Sequence, residues 1–533
     1  MKCNLVLAAL AGLAAAADCP AYEQYARQRH EPFSHGKYKF PYQRPAKECR
    51  SYAVPEVERV LDDMKRKVRD PDLYQLFLNT WPNTVDTTVL WHGTSAENPE
   101  EELAFVITGD INAMWLRDSA NQLQSYKPIL NGGSTAGAAA NDTNNIAALF
   151  RGAINLQGRY LRKYPYCNAF QPPAESKIPP IHHKRSESDH HLLYSNSHSR
   201  SHSRRDTVSP PYNPNEVWEC KYELDSIAAF LQLSHDYHDA TGDAAFFGRF
   251  AWRQTVAVLL DTARALMAGT YAADGRVQPS PYTWLRDANT ATEVVANAGR
   301  GSPVADRIGM VRSFFRPSDD STTYQYFVPA NMMFAKNLEN CAVIMRGIDA
   351  GLARDMEDMA AGIRSAIDEH AVVRHPQHGD IYAYEVDGFG SVNFMDDANI
   401  PSLLSIPHLG YASNDDAIYK RTRDFVLGRS NPYFGTGPVL NSTGGPHLGP
   451  GMAWPMGVIM RIMTSDHDDE IVACLKMLMG ATSGLGLIHE SVNTFDDSNW
   501  SRPWFAWANG LFGQMLIDLS DRKPRILQRS FQN

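Results

Sequence analysis

The amino-acid sequence predicts a mainly α fold, a toroid of helical hairpins whose short strands and connecting loops build one shared cavity. Two observations carry this. Amphipathic stripes recur about a dozen times along the 533-residue chain, and the segments between them lack helical pattern but are rich in carboxylates and tryptophan. Hairpins can bury such stripes against one another, and loops gathered at one end then share a concave surface. Hydrophobic residues make up 43% and charged residues 21% of the chain, which suits a large globular core and excludes general disorder. A formal net charge of -9 argues against nucleic acid as a partner, since such a binder presents a basic face.

Residues 1–17 read as a signal peptide: Met1-Lys2, an apolar run, then Ala15-Ala16-Ala17 before Asp18. The run is too short to span a bilayer comfortably, no later stretch is apolar enough to do so, and no membrane association is expected. The mature chain is therefore expected to be secreted or held in the lumen of the secretory pathway. Residues 18–53, with several Pro, Tyr and Arg, form an irregular N-terminal arm. Helical text starts at Val54, with Val57, Val60, Leu61 and Met64 on one face. Residues 87–107 carry the β-branched pattern of a hairpin.

Helices dominate from there. Leu224, Ile227, Ala228 and Leu231 form one stripe, and Leu338, Cys341, Met345 and Ile348 another. Further helices are expected near 144–163, 243–268, 352–371, 415–427, 450–463, 467–480 and 503–520. Residues 171–212 change to Ser, His, Arg and Pro, including His182-His183, His190-His191, His198 and His202. That composition cannot bury a core and reads as a disordered surface insertion, with metal binding by the histidines as a lesser alternative. Residues 521–533 form a polar C-terminal tail.

Loss of Cys3 with the signal peptide leaves six cysteines, and an even number in an oxidising compartment suggests disulfides. Six cysteines allow fifteen connectivities. Cys19 with Cys49, and Cys167 with Cys220 across the base of the insertion, are the expected pairs. Cys341 and Cys474, in apolar helical text, suit free core thiols. Asn141-Asp142-Thr143, Asn441-Ser442-Thr443 and Asn499-Trp500-Ser501 are glycosylation sequons.

Chemistry gathers in the segments between helices. Trp-Leu-Arg-Asp occurs twice, as Trp115-Leu116-Arg117-Asp118 and Trp284-Leu285-Arg286-Asp287, joining an aromatic face to the charged groups that hold sugar hydroxyls. The two copies are expected to approach one cavity; the alternative is a structural Arg-Asp ion pair beneath each Trp. Six of the ten tryptophans, Trp115, Trp284, Trp454, Trp500, Trp504 and Trp507, lie in these segments, which points to a sugar-binding cavity rather than scattered core residues. Glycoside hydrolysis needs two carboxyl groups, one protonated and one ionised. Asp225, at a helix start, and Glu490, after an apolar segment, are the candidates. Asp225 or Glu223 could instead cap the helix, and Glu490 could pair with His489 or Arg502. The doubled acids Asp319-Asp320, Asp396-Asp397 and Asp496-Asp497 lack EF-hand spacing and read as hydrogen-bonding carboxylates, so neither metal nor cofactor is expected. Gly-x-Ser-x-Gly, Rossmann and P-loop patterns are absent.

Together these segments resemble glycoside hydrolase family 125. The resemblance rests on Met114-Trp115-Leu116-Arg117-Asp118-Ser119, Glu223-Leu224-Asp225-Ser226, Trp284-Leu285-Arg286-Asp287-Ala288-Asn289, Arg316-Pro317-Ser318-Asp319-Asp320, Asp396-Asp397-Ala398-Asn399, Ala453-Trp454-Pro455 and His489-Glu490-Ser491. It covers residues 54–520. It implies an (α/α)6 catalytic domain and a metal-independent exo-α-1,6-mannosidase acting on α-mannoside oligosaccharides with inversion, Asp225 as general acid and Glu490 as general base. Trp115, Arg117, Asp118, Trp284, Arg286, Asp287, Asp319, Asp320, Asp397, Asn399, Trp454 and Trp507 would then hold the sugar. The competing functions are another toroidal glycosidase of different linkage specificity and a secreted glycan-binding protein without turnover. Oligomeric state is not legible in the sequence.

Overall fold

In the computed structural model the structure describes residues 19–132, 145–181, 206–288 and 290–532. The signal peptide, the Asn141 sequon and the histidines of residues 182–205 lie outside the described residues. Twelve helices of nine residues or more are present among the described residues: α1 Pro55–Lys67, α2 Pro71–Thr80, α3 Leu116–Gln124, α4 Ile146–Lys163, α5 Leu224–Thr241, α6 Trp252–Ala265, α7 Val328–Met345, α8 Ala350–His370, α9 Ala417–Val426, α10 Pro455–Met463, α11 Asp468–Gly480 and α12 Ala506–Arg522. None of these is long and apolar enough to cross a membrane.

Local chemistry sets the helix ends. Pro55 supplies the fixed φ of a first helical position, Glu56 and Glu58 face the positive end of α1, and Lys65, Arg66 and Lys67 its negative end. Asp70 caps α2 by accepting the Asp72 and Leu73 N–H groups. Gly242, at φ +68°, stops α5 in the left-handed conformation that glycine adopts without steric cost.

α7 packs along α8 and against α5, α5 against α3 and α4, and α10 against α11 and α12. The last long helix, α12, packs against α2 and α3, so the end of the chain returns to its start. One continuous core runs through all of these, from Phe40 in the arm to Phe531 in the tail. The arm itself is anchored by Arg44, whose buried guanidinium lies 2.7 Å from both Asp86 and Glu58. Cys19 is bonded to Cys49 and Cys167 to Cys220, while Cys341 and Cys474 are buried free thiols.

The strands are short, and five of them lie just ahead of long helices. Met114–Trp115 runs into α3, Val217–Glu219 precedes α5, Tyr326–Phe327 runs into α7, Met452–Ala453 precedes α10 and Asp496–Ser501 precedes α12. The hairpin expected over 87–107 forms from Val89–Thr94 and Glu102–Val106.

The described ends of the 171–212 insertion differ from the loop that composition suggested. Thr207–Ser209 pairs with Thr283–Leu285, the Gln171 carboxamide oxygen accepts the Ile181 N–H at 3.0 Å, and Asp206 accepts two 2.7 Å bonds from Arg286. Composition does not register that a buried guanidinium on a distant segment needs this carboxylate.

Candidate active site

The strand-to-helix junctions of α3 and α5, with the 315–321 turn, bring four carboxyl groups around a single guanidinium. Arg117 donates to Glu223 Oε2 at 2.6 Å and to Asp225 Oδ2 at 3.2 Å, and lies 3.3 Å from Asp118 and 3.6 Å from Asp319. Its side chain is 3% exposed, and those of Glu223 and Asp225 are fully buried. One guanidinium cannot neutralise the three buried acids Asp118, Glu223 and Asp225, so protons are retained among them, whereas Asp319, 28% exposed, also faces Lys221 and His447. Burial raises the Asp225 carboxyl above the usual range, against the pull of Arg117, and the nearby Asp319 adds to the rise. Burial likewise lifts Glu223 well above its ordinary value and Asp118 to about 6. Asp319 goes the other way: burial opposes its charge, but Lys221 and Arg117 outweigh that and hold it low. The free N–H groups at the start of α5 favour an ionised Asp225; burial wins.

The acid loop is tightly held. Glu223 Oε1 accepts from Asn168 Nδ2 at 3.1 Å and Oε2 from Ser226 Oγ at 2.8 Å, and Asn168 Oδ1 accepts the Lys221 N–H at 3.0 Å. The Cys167–Cys220 disulfide joins the two segments beside these bonds. Glu223 is the N-cap residue of α5 but its side chain makes no capping bond. Asp225 Oδ2 is on Arg117, while its Oδ1 has no hydrogen bond to another residue. A carboxyl group in that state suits proton donation better than capping.

Glu490 comes from the other end of the chain, ahead of the hairpin of Ser491–Asn493 and Asp496–Ser501. Its Oε2 accepts from Ser501 Oγ at 2.8 Å, and its Oε1 is 3.4 Å from Arg502 Nε. His489 does not pair with it: the ring stacks on Trp500 at 4.5 Å and Nδ1 meets the Arg502 carbonyl oxygen at 3.0 Å.

Glu490 lines a cavity of about 50 Å³ together with Trp115, Arg117, Asp118, Asp319, Asn399, Trp454 and Trp507 among the expected residues, whereas Asp225, Asp320 and Asp397 are not on its lining. Asp225 is fully buried and is joined to the lining through Arg117, 3.2 Å away. Asp320 Oδ1 accepts from His447 Nδ1 at 3.1 Å, and Asp397 Oδ1 accepts both the N–H and the carboxamide N–H of Asn399 at 2.9 Å. The other doubled acids stand apart, Asp396 accepting the Leu403 and Leu404 N–H groups and Asp496 the Ser498 N–H.

The second Trp-Leu-Arg-Asp does not line this cavity, and the expectation of two copies around one sugar is corrected. Trp284 is fully buried, edge-on to Phe315 at 4.9 Å; Arg286 is held by Asp206, Glu219 and Glu293; and Asp287 is exposed. Arg286 is a structural cation, but its three acids come from outside the motif and not from Asp287, so the expected Arg-Asp pair is not what holds it. Trp500 and Trp504 are also outside the lining, stacked on His489 and edge-on to Tyr22.

His447 was not among the sequence candidates, yet it lines the cavity. Burial disfavours its charge, but the Asp320 carboxylate outweighs that and lifts it to about 9, so it is a cation at neutral pH. The only signal was a lone His in the glycine-rich text of residues 444–451.

The sequence profile described as "Metal-independent alpha-mannosidase (GH125)" matches residues 70–517. The chain belongs to glycoside hydrolase family 125. This family 125 hydrolase is 42% identical over 515 residues to the Meiotically up-regulated gene 157 protein of Schizosaccharomyces pombe, covering 96% of this chain and 94% of that one. A solved metal-independent α-mannosidase of Streptococcus pneumoniae, in a non-productive complex with α-1,6-mannobiose, is 28% identical with a TM-score of 0.73, covering 88% of this chain and 99% of that one.

Proposed function

We propose that this family 125 chain is a secreted exo-acting glycosidase that removes terminal α-1,6-linked mannose with inversion, on an (α/α)6 toroid of six helical hairpins. The observation that carries the reading is a pair of unlike carboxyl groups at one cavity, Glu490 on its lining and Asp225 buried against Arg117, itself a lining residue. Asp225 is buried, raised and bare at Oδ1; Glu490 is on the lining with a hydroxyl and a guanidinium at its oxygens. Asp225 gives its proton to the glycosidic oxygen as the bond to C1 breaks. Glu490 takes a proton from the water that attacks C1 from the opposite face, and β-mannose leaves. Trp115, Trp454 and Trp507 offer apolar faces to the sugar, and Arg117, Asp118, Asp319 and Asn399 meet its hydroxyls. No step in this scheme uses a metal.

The α-1,6-mannobiose seen with the Streptococcus relative supports the linkage. The twelve long helices among the described residues are the number six hairpins require. Two disulfides support an oxidising compartment, secretion or the lumen of the secretory pathway. The test is release of mannose from α-1,2-, α-1,3-, α-1,4- and α-1,6-mannobiosides by the purified chain, with Asp225→Asn and Glu490→Gln as controls. Cleavage confined to the α-1,6 compound and abolished in both variants is expected. Preference for another linkage, or turnover by either variant, would overturn it.

A further inference from the structure

The second Trp-Leu-Arg-Asp is outside the cavity but not unconnected to it. Lys221, 3% exposed, lies between the two. Its Nζ donates to the Asp319 carbonyl oxygen at 3.0 Å and sits 3.4 Å from Glu219 Oε1. The same Glu219 oxygen accepts from Arg286 at 2.9 Å. The faces of Trp284 and Phe315 close over the ammonium group at 5.9 and 5.3 Å, and Trp284 also carries Arg286 at 4.7 Å. Asp206 then fixes Arg286 through both carboxylate oxygens.

The other side of Lys221 is the acid cluster. Asp319 stands in the left-handed region at φ +66°, a conformation that costs a non-glycine residue energy and needs outside support. The Lys221 bond to its carbonyl oxygen gives that support. The charged groups facing Asp319 are Arg117, Lys221, His447, Arg502, Glu223, Asp118 and Asp225, and those facing Asp225 are Arg117, Glu223 and Asp319. Lys221 and Arg117 act on Asp319 more strongly than His447 does, and Arg502 bears on Asp118 and Asp319 from the cavity lining.

We infer that Lys221, held by the second Trp-Leu-Arg-Asp, is a positioning residue for the acid: it fixes the Asp319 backbone and supplies positive charge beside Asp319, whose own carboxylate faces Asp118, Glu223 and Asp225. The repeated motif thus works twice on one site, the first copy by contact and the second through Lys221. The inference rests on Asp225 being the general acid.

The test is the pH profile of kcat/KM on an α-1,6-mannobioside. Loss of the ammonium charge in Lys221→Met leaves the cluster more negative, so it holds its protons to higher pH. The basic limb should move up by about half to one pH unit and kcat should fall about tenfold. Lys221→Arg keeps the charge and should keep the limb in place. Arg286→Met frees the Glu219 carboxylate to draw Lys221 away, and should move the limb in the same direction by less. A limb unmoved in Lys221→Met, or moved equally in Lys221→Arg, would overturn the inference. Should Lys221→Met not fold, an unmoved limb in Arg286→Met overturns it instead. Turnover by Asp225→Asn would sink the acid assignment itself, whereas an inactive Asp225→Asn beside an unmoved limb sinks only the role of Lys221.

Discussion

Replacing Arg117 by methionine removes the one guanidinium that four carboxyl groups share. The side chain is 3% exposed and its four partners lie 2.6 to 3.6 Å away. Breaking a buried ion pair by deleting one partner costs about 3–5 kcal/mol, because the other charge is left buried and unpaired. Unfolding entropy of about 2.1 cal/mol/K per residue, over roughly 500 residues, makes 1 kcal/mol about 1 °C in Tm, so a drop of about 3–5 °C is expected at pH 7. The drop must depend on pH. Carboxyl groups titrate near 4 when unfolded, while in the fold Asp118 titrates at about 6 and Glu223 and Asp225 are also raised. Without Arg117 all of these rise further. Between the unfolded and folded values the native state holds more protons than the unfolded one, so stability falls as pH increases. Scanning calorimetry or fluorescence melts of wild type and Arg117→Met from pH 4.5 to 8 should show a deficit that is small at the acid end and largest above pH 7. An equal deficit at both ends, or none at pH 7, would refute the shared counter-ion.

Asp225→Asn and Glu490→Gln should each lower kcat by about a thousandfold or more with melting points near wild type, read by mannose release and thermal melts. The kcat/KM profile should hold its basic limb above the usual carboxylate range, since Asp225 must be protonated to act and burial raises it; a limb near pH 4 would contradict this. Ser501→Ala removes the 2.8 Å bond to Glu490 and should lower kcat more than it changes KM, by about tenfold. Replacing Cys167 and Cys220 with serine opens a loop of 53 residues, for which chain entropy gives a loss of about 4 kcal/mol, and should also lower kcat because Asn168 and Lys221 flank that bond.

Much of the helical pattern was legible because stripes survive wherever one helix face meets solvent. α4 and α11 lie where spacing put them. α2 and α3 were not read from the sequence: Asp72, Gln75 and Asn79 in the first, and Arg117, Asp118, Asn121 and Gln122 in the second, are buried polar groups, so neither helix shows a polar outer face. The stretch expected over 243–268 breaks at Phe250, which is extended, and the one expected from 450 starts only at Pro455, after Gly449 and Gly451 take positive φ. The site divides along the same line. Asp225, Glu490 and the first Trp-Leu-Arg-Asp were found because carboxylates and aromatics cluster locally. The fate of the second copy was not legible, because Arg286 is decided by Asp206 and Glu219, which only the folded chain brings beside it. His447 escaped for the same reason, its charge coming from Asp320.

The most direct test of the central claim is proton NMR of the first mannose released from an α-1,6-mannobioside, recorded before mutarotation. Attack by a water on Glu490, with Asp225 as acid, predicts β-mannose as the first product; α-mannose appearing first would contradict it.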